Sequence, residues 1–270
     1  MIASEIRANA RRSLEGKWGK AALMTLAYGV IVFVINFVLG LIPVIGSIVS
    51  FVISTPISYG LIVAFMKLKR GEEVGYVDFL NYGFSDFGRV WGVVGNILLK
   101  LILPICLVVI CIIVITFGTA GSLSAGIYGA AYRSAYSTSS SFVSGLAGGL
   151  GVLAIIGIIG YLASLIYLVV KSYYYTLSFY ILNDNPNMTG REIVEESRKL
   201  MTGHRWHYFW LGLTFIGWVI LSAFTLYIGL LWLMPYVMVA TICFYEQLAG
   251  KSTQTVDAEV VSNNQEKNEE

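Results

Sequence analysis

Hydrophobic residues in this chain come in long, nearly unbroken runs, separated by short segments where polar and apolar positions alternate with a helical period. A helix needs about 20 apolar residues to cross the ~30 Å hydrocarbon core of a bilayer. Six runs meet or approach that length: 21–42, 44–66, 90–117, 147–170, 209–224 and 227–245. The last two are short and meet at "TLY". They predict a tight helical hairpin, because one straight helix of their combined length would overshoot the membrane. The first pair turns at "LGLIPVIG", around Pro43 and Gly46.

The segments between these pairs share a design. In "ASEIRANARRSLEGKW", Ile2, Ile6, Ala10 and Leu14 recur every four residues, followed by Gly16 and Trp18. In "GYVDFLNYGFSDFGRVW", Tyr76, Phe79, Leu80, Gly83, Phe84 and Phe87 follow helical spacing, followed by Gly88 and Trp91. In "TGREIVEESRKLMTGHRW", Ile193, Val194, Ser197, Leu200 and Met201 fall on one helix face, followed by Gly203 and Trp206. Each segment predicts an amphipathic helix, a glycine break, a basic residue beside a tryptophan (Lys17, Arg89, Arg205), and then a pair of spans. Such Trp and Lys/Arg pairs are expected at headgroup depth as interfacial anchors. The pattern predicts an all-α polytopic membrane protein: about six transmembrane helices, three amphipathic interfacial helices, and a weak threefold repeat over 1–75, 76–185 and 186–247.

Composition agrees. The 270 residues are 57% hydrophobic and only 13% charged, against roughly 25% charged in soluble domains. The N-terminal run is too long for a signal-peptide core and is expected to remain as the first span. A net charge of +2 gives no case for nucleic acid, but the placement of charge is informative. Lys and Arg gather in the N-terminal tail (Arg7, Arg11, Arg12, Lys17, Lys20), the second-to-third loop (Lys67, Lys69, Arg70, Arg89), the fourth-to-fifth loop (Lys171, Arg191, Arg198, Lys199, Arg205) and the tail (Lys251, Lys267). The opposite side holds only Arg133. With six spans the positive-inside rule puts both termini in the cytoplasm. One integral domain is expected over 1–247, with an outer Gly/Ser/Tyr-rich loop at 118–149 and a disordered cytoplasmic tail at 248–270. Tyr128, Tyr132 and Tyr136 also allow a short tyrosine-faced helix within that loop.

The third amphipathic segment has the most specific local chemistry. Thr189 and Glu192 are spaced as a capping box, Glu195 and Lys199 as an i,i+4 pair, and Gly203 ends the helix. Upstream, Pro186 in "NDNP" stops the preceding helix and disfavours helical geometry at Asn185.

The segments "YILNDNP", "LMTGHRW", "FIGW" and "IGLLWLMPY", with "R-x-S-L-x-G-x-W" near the N-terminus and "FLNYGF", resemble the DUF975 family. These matches run along nearly the whole chain apart from the 118–149 loop and the tail. The resemblance implies a bacterial multispan membrane protein, and it brings no catalytic residues with it.

Candidate chemistry is sparse. Cys106, Cys111 and Cys243 lie in apolar runs, the first two without His or acidic companions, and His204 with His207 lacks a third ligand, so no metal or cofactor is expected. No G-x-S-x-G elbow or Ser-His-Asp set occurs. Lys100 and Lys171 press against spans. Either they snorkel to the headgroups, or they line an inner-leaflet pocket for an anionic headgroup or solute beside Tyr173, Tyr174 and Tyr175. The acid/base groups of an enzyme are missing from the runs. The expected function is therefore a non-enzymatic scaffold or accessory protein whose cytoplasmic face contacts membrane lipids and other membrane proteins. The alternative is a permease or lipid-handling protein.

Overall fold

The structure is a computed structural model that describes residues 3–42, 44–136, 141–225 and 227–250, with side chains for all of these except 129, 132–136 and 141–147. Its elements are α1 (Ala3–Leu14), α2 (Trp18–Gly40), α3 (Ile45–Lys69), α4 (Phe79–Ser85), α5 (Phe87–Tyr136), α6 (Ser141–Ser172), a 3-10 turn (Tyr173–Tyr175), α7 (Ser178–Asp184), α8 (Gly190–Met201), α9 (Arg205–Phe224) and α10 (Leu230–Leu248). No strand occurs among the described residues, and six helices are long and apolar enough to cross a membrane. The all-α, polytopic architecture expected from the hydrophobic pattern is the one found. Pro43 and the tail from Lys251 lie outside the described residues.

The described residues divide into two compact units, where the sequence suggests one domain. The first holds those of Met1–Asn96 and Tyr174–Glu270, the second Ile97–Tyr173. In the first unit the core lies at the charged ends of the long helices. The second half of α3 is buried from Pro56 to Leu68 with few interruptions, as is α10 from Val239 to Tyr245. Helices α3, α7 and α10 meet there, and Gly60, Ala64, Ser178 and Ala240 are small enough for close approach. The other halves of α2 and α3 expose Phe33, Phe37 and Ile48, which suits an apolar solvent.

The three short helices dock onto this core in rotation: α4 packs on α3, α8 on α7, and α1 on α10. Their buried positions are Phe79 and Gly83 on α4, Ile193, Val194, Ser197 and Met201 on α8, and Ile6, Ala10 and Leu14 on α1. Lipid and neighbouring spans were both open as partners for these apolar faces, and the faces meet other helices. Burying an Ile side chain fully contributes about 1.5–3 kcal/mol, which makes this docking a major source of cohesion. The tightest crossing is α4 on α3. A Cβ at Gly60 would run into the Phe79 carbonyl, and one at Gly83 into the Pro56 carbonyl.

Gly16 (φ +72) and Gly203 (φ +87) form the expected breaks in the left-handed conformation that glycine adopts without a Cβ clash. The second break differs from expectation: Gly88 lies inside α5, and α4 ends at Asp86. This leaves α4 a helix of only seven residues, with Tyr76, Phe84 and Phe87 exposed.

In the second unit, α5 and α6 form an antiparallel pair. A Cβ added at Gly118 would lie 2.8 Å from the Ala154 nitrogen, at Gly157 2.9 Å from Ile115, and at Gly160 3.2 Å from the Cys111 sulfur. Here the 118–149 expectation needs correction. The helix runs on through Tyr136, and α6 begins at Ser141. Loop-like composition is compatible with helix because Gly118 and Gly121 let α5 approach Leu150 and Ala154. At 50 residues α5 is about 75 Å long, over twice the hydrocarbon thickness.

Replacing Gly83 by Leu forces a side chain into the α3 backbone and is expected to destabilise the fold by about 1–3 kcal/mol. Gly88→Ala, which meets open space in a helix, should leave stability unchanged or slightly raised. Thermal unfolding of the two purified variants in one detergent checks the contrast.

Candidate functional site

The ends of α3, α7 and α10 converge on one carboxylate. Asp184, whose side chain is 4% exposed, closes α7 and pairs with Arg70 Nη2 at 2.7 Å. It also accepts hydrogen bonds from the Tyr245 hydroxyl at 3.1 Å and from Asn183 Nδ2 at 3.3 Å. Beside it Lys69 pairs with Glu246, with both side chains largely buried. A charge withdrawn from water is tolerated only when paired and hydrogen-bonded, and Asp184 meets both conditions with groups from three helices.

A second set of cations caps helix ends. Lys17 Nζ donates to the Leu68 carbonyl at 3.0 Å, near the end of α3. Arg89 Nη2 donates to the carbonyls of Leu182 (3.2 Å) and Asn185 (3.1 Å) at the end of α7, and Nη1 pairs with Asp86 at 3.3 Å. Asp86 in turn accepts from the Tyr59 hydroxyl at 3.4 Å. The last carbonyls of a helix lack intrahelical donors, and these cations add to the backbone amides of Gly71 and Met188 that already reach Leu68 and Asn185. Arg205 lies 4.3 Å over the Tyr174 ring, and the Ser197 hydroxyl donates to the Tyr174 carbonyl at 2.8 Å.

The three tryptophans paired with these cations have different settings. Trp18 stands 6.2 Å from the Tyr236 ring and Trp91 packs edge-on to Phe51 at 5.6 Å. Trp206 is 70% exposed and meets Phe209 edge-on. Thr189 and Glu192 form the reciprocal capping box at 3.4 and 2.8 Å, and the bonds with Thr189 hold the Glu192 carboxyl below its ordinary pKa. The charge pairs on α8 differ from the expected i,i+4 arrangement. Glu195 meets Arg198 and Glu196 meets Lys199, both i,i+3, which the 100° step of a helix allows equally. Asn185 leaves the helix at φ −128 ahead of Pro186, and Gly203 follows the cap of α8.

Lys171 lies 5.5 Å over the Tyr167 ring of its own helix, and Lys100 is half-buried on α5. Tyr173 belongs with them to the second unit, whereas Tyr174 and the buried Tyr175 belong to the first. His204 and His207 have ring centroids 6.0 Å apart, and no His/Cys/Asp/Glu cluster among the described residues could hold a metal.

The first unit also contains a cavity of about 570 Å³ between α1, α2, α9 and α10, within the ~300–1,000 Å³ of ligand pockets. Arg7, Arg11, Trp18, Trp218, Trp232 and Tyr236 line it. Neither the cavity nor the Asp184 hub was evident from sequence. Arg7 and Arg11 counted only as two charges in a basic tail, and Asp184 only as part of a helix stop. The i,i+4 spacing of the two arginines was the available signal for a shared face.

Paired carboxylates, capped helix ends and six apolar helices define an α-helical polytopic membrane protein whose ionic groups tie the fold together. The chain belongs to the family described as "Protein of unknown function (DUF975)", which it matches over residues 1–252. No curated protein and no solved structure matches it.

Arg70→Ala strands the buried Asp184 carboxylate and is expected to cost about 3 kcal/mol. Adding Asp184→Asn to that variant should recover part of the loss, since a neutral amide still accepts from Tyr245. A double-mutant cycle on thermal unfolding in detergent measures both.

Proposed function

We propose that this protein is a non-enzymatic scaffold or accessory protein of a bacterial cell membrane, with both termini in the cytoplasm. The observation that carries this proposal is the use of the three short helices. Their apolar faces are buried against α3, α7 and α10, which leaves their polar faces outward on the charged side of the protein. On α8 that outward face carries two acids followed by two bases, Glu195 and Glu196 paired with Arg198 and Lys199. The ion pairs behind it hold three helix ends together, and a rigid polar platform suits docking of another protein. Lipid contacts fall to the exposed apolar surfaces of the spans. The positive-inside distribution of Lys and Arg supports the orientation. A permease or lipid-handling protein is the second proposal, favoured by the cavity beside α1.

Reversing the charges of Glu195, Arg198 and Lys199 removes the proposed contact face without touching the buried positions. The triple variant is expected to insert and unfold like the wild type but to lose a partner recovered by cross-linking in cells. Identical cross-linked products from both proteins would sink the scaffold proposal. Uptake or lipid-transfer activity in reconstituted vesicles, lost in a cavity variant, would favour the second.

A further inference from the structure

The cavity beside α1 is polar at one side and aromatic along the rest. Arg7 and Arg11 are one helical turn apart on α1 and reach the same cavity. Nε of Arg7 is shut off from solvent and has no hydrogen-bond partner among the described residues. Within that same set, no carboxylate pairs with either arginine. The backbone holds α1 in place here, since the Tyr236 hydroxyl donates to the Arg7 carbonyl at 3.4 Å.

The remaining lining offers little to a polar ligand. Ser222 and Thr225 turn their hydroxyls back onto the carbonyls of Trp218 (2.7 Å) and Ser222 (2.9 Å). The Gly229 amide donates to the Thr225 hydroxyl at 3.2 Å. What faces the cavity from α9 and α10 is therefore mainly indole and leucine surface, from Trp218, Trp232, Leu221 and Leu233. Guanidinium forks match phosphate oxygens in two-point hydrogen bonds, and the two arginines give one side of the cavity a positive charge.

We infer that this cavity binds one anionic phospholipid, its phosphate on Arg7 and Arg11 and an acyl chain along Trp218 and Trp232. A free anion would leave the indole-lined length empty, and a zwitterionic lipid would bring a cation toward two guanidinium groups. The site stands independently of the scaffold proposal: a lipid ligand is compatible with a scaffold, and a scaffold without this ligand would still show its partner.

The test is native mass spectrometry of the purified full-length protein titrated with phosphatidylglycerol or phosphatidylcholine. The wild type should retain one phosphatidylglycerol per chain with about tenfold preference, since both lipids offer the same phosphate and only phosphatidylcholine brings a cation toward the two guanidinium groups. Arg7→Gln with Arg11→Gln should bring the two lipids to parity. Arg12→Gln, an exposed charge on α1 outside the cavity lining, should leave the preference intact. Arg11 is itself exposed, so Arg11→Gln alone, which should narrow the preference, keeps the test valid if the double variant misfolds. Equal affinity for both lipids in the wild type, or an unchanged preference in a folded Arg7/Arg11 variant, overturns the inference. So does displacement of the lipid by inorganic phosphate, which would mark a free-anion site.

Discussion

The carboxylate of Asp184 sets the constraint from which the rest of the first unit follows. Shut off from water, it needs a cation and hydrogen-bond donors close by, and it finds Arg70, Tyr245 and Asn183. Those groups belong to the ends of α3, α10 and α7, so neutralising one charge brings three helices together at one level. The Lys69–Glu246 pair repeats the tie between α3 and α10. Small buried residues then let the backbones pack close enough for these short contacts to form.

The short helices complete what the ion pairs begin. An apolar face such as that of α8 is costly to leave in water and would be easily satisfied by lipid. Docked on a neighbouring helix, it is buried within the protein instead. Lys17 and Arg89 serve both local and global order, because each leaves the start of one span to cap the end of another helix. Polar chemistry in this protein is concentrated at one end and is largely internal to the fold.

The hydrophobic pattern made six spans legible because membrane solvation is dictated by long runs of side chains, which are a local property of sequence. The capping box at Thr189 and Glu192, the break at Gly203 and the stop at Pro186 were legible for the same reason: partners sit within a few residues. The 118–149 segment misled because Gly and Ser indicate loops only where no second helix covers them, and the cover from Leu150 and Ala154 arrives from across the hairpin. Gly88 misled because a glycine with ordinary helical angles is simply a small helical residue. The hub was illegible because Arg70 and Asp184 are 114 positions apart, and no periodicity links them. Arg7 and Arg11 were visible as charges, but their cavity depends on α9 and α10 folding back beside them.

Rotation of the short helices also imposes an order on biosynthesis. Helix α4 packs on the α3 that precedes it and α8 on the preceding α7, whereas α1 docks on α10, which is synthesised well after it. Until that span arrives, Ile6, Ala10 and Leu14 have no permanent seat, and the nascent chain carries an exposed greasy helix at its front. Docking of α1 thus waits on a helix far along the chain, 229 positions on from Arg7 to Tyr236. A chain that stops short of α10 lacks the helix on which the apolar face of α1 is buried.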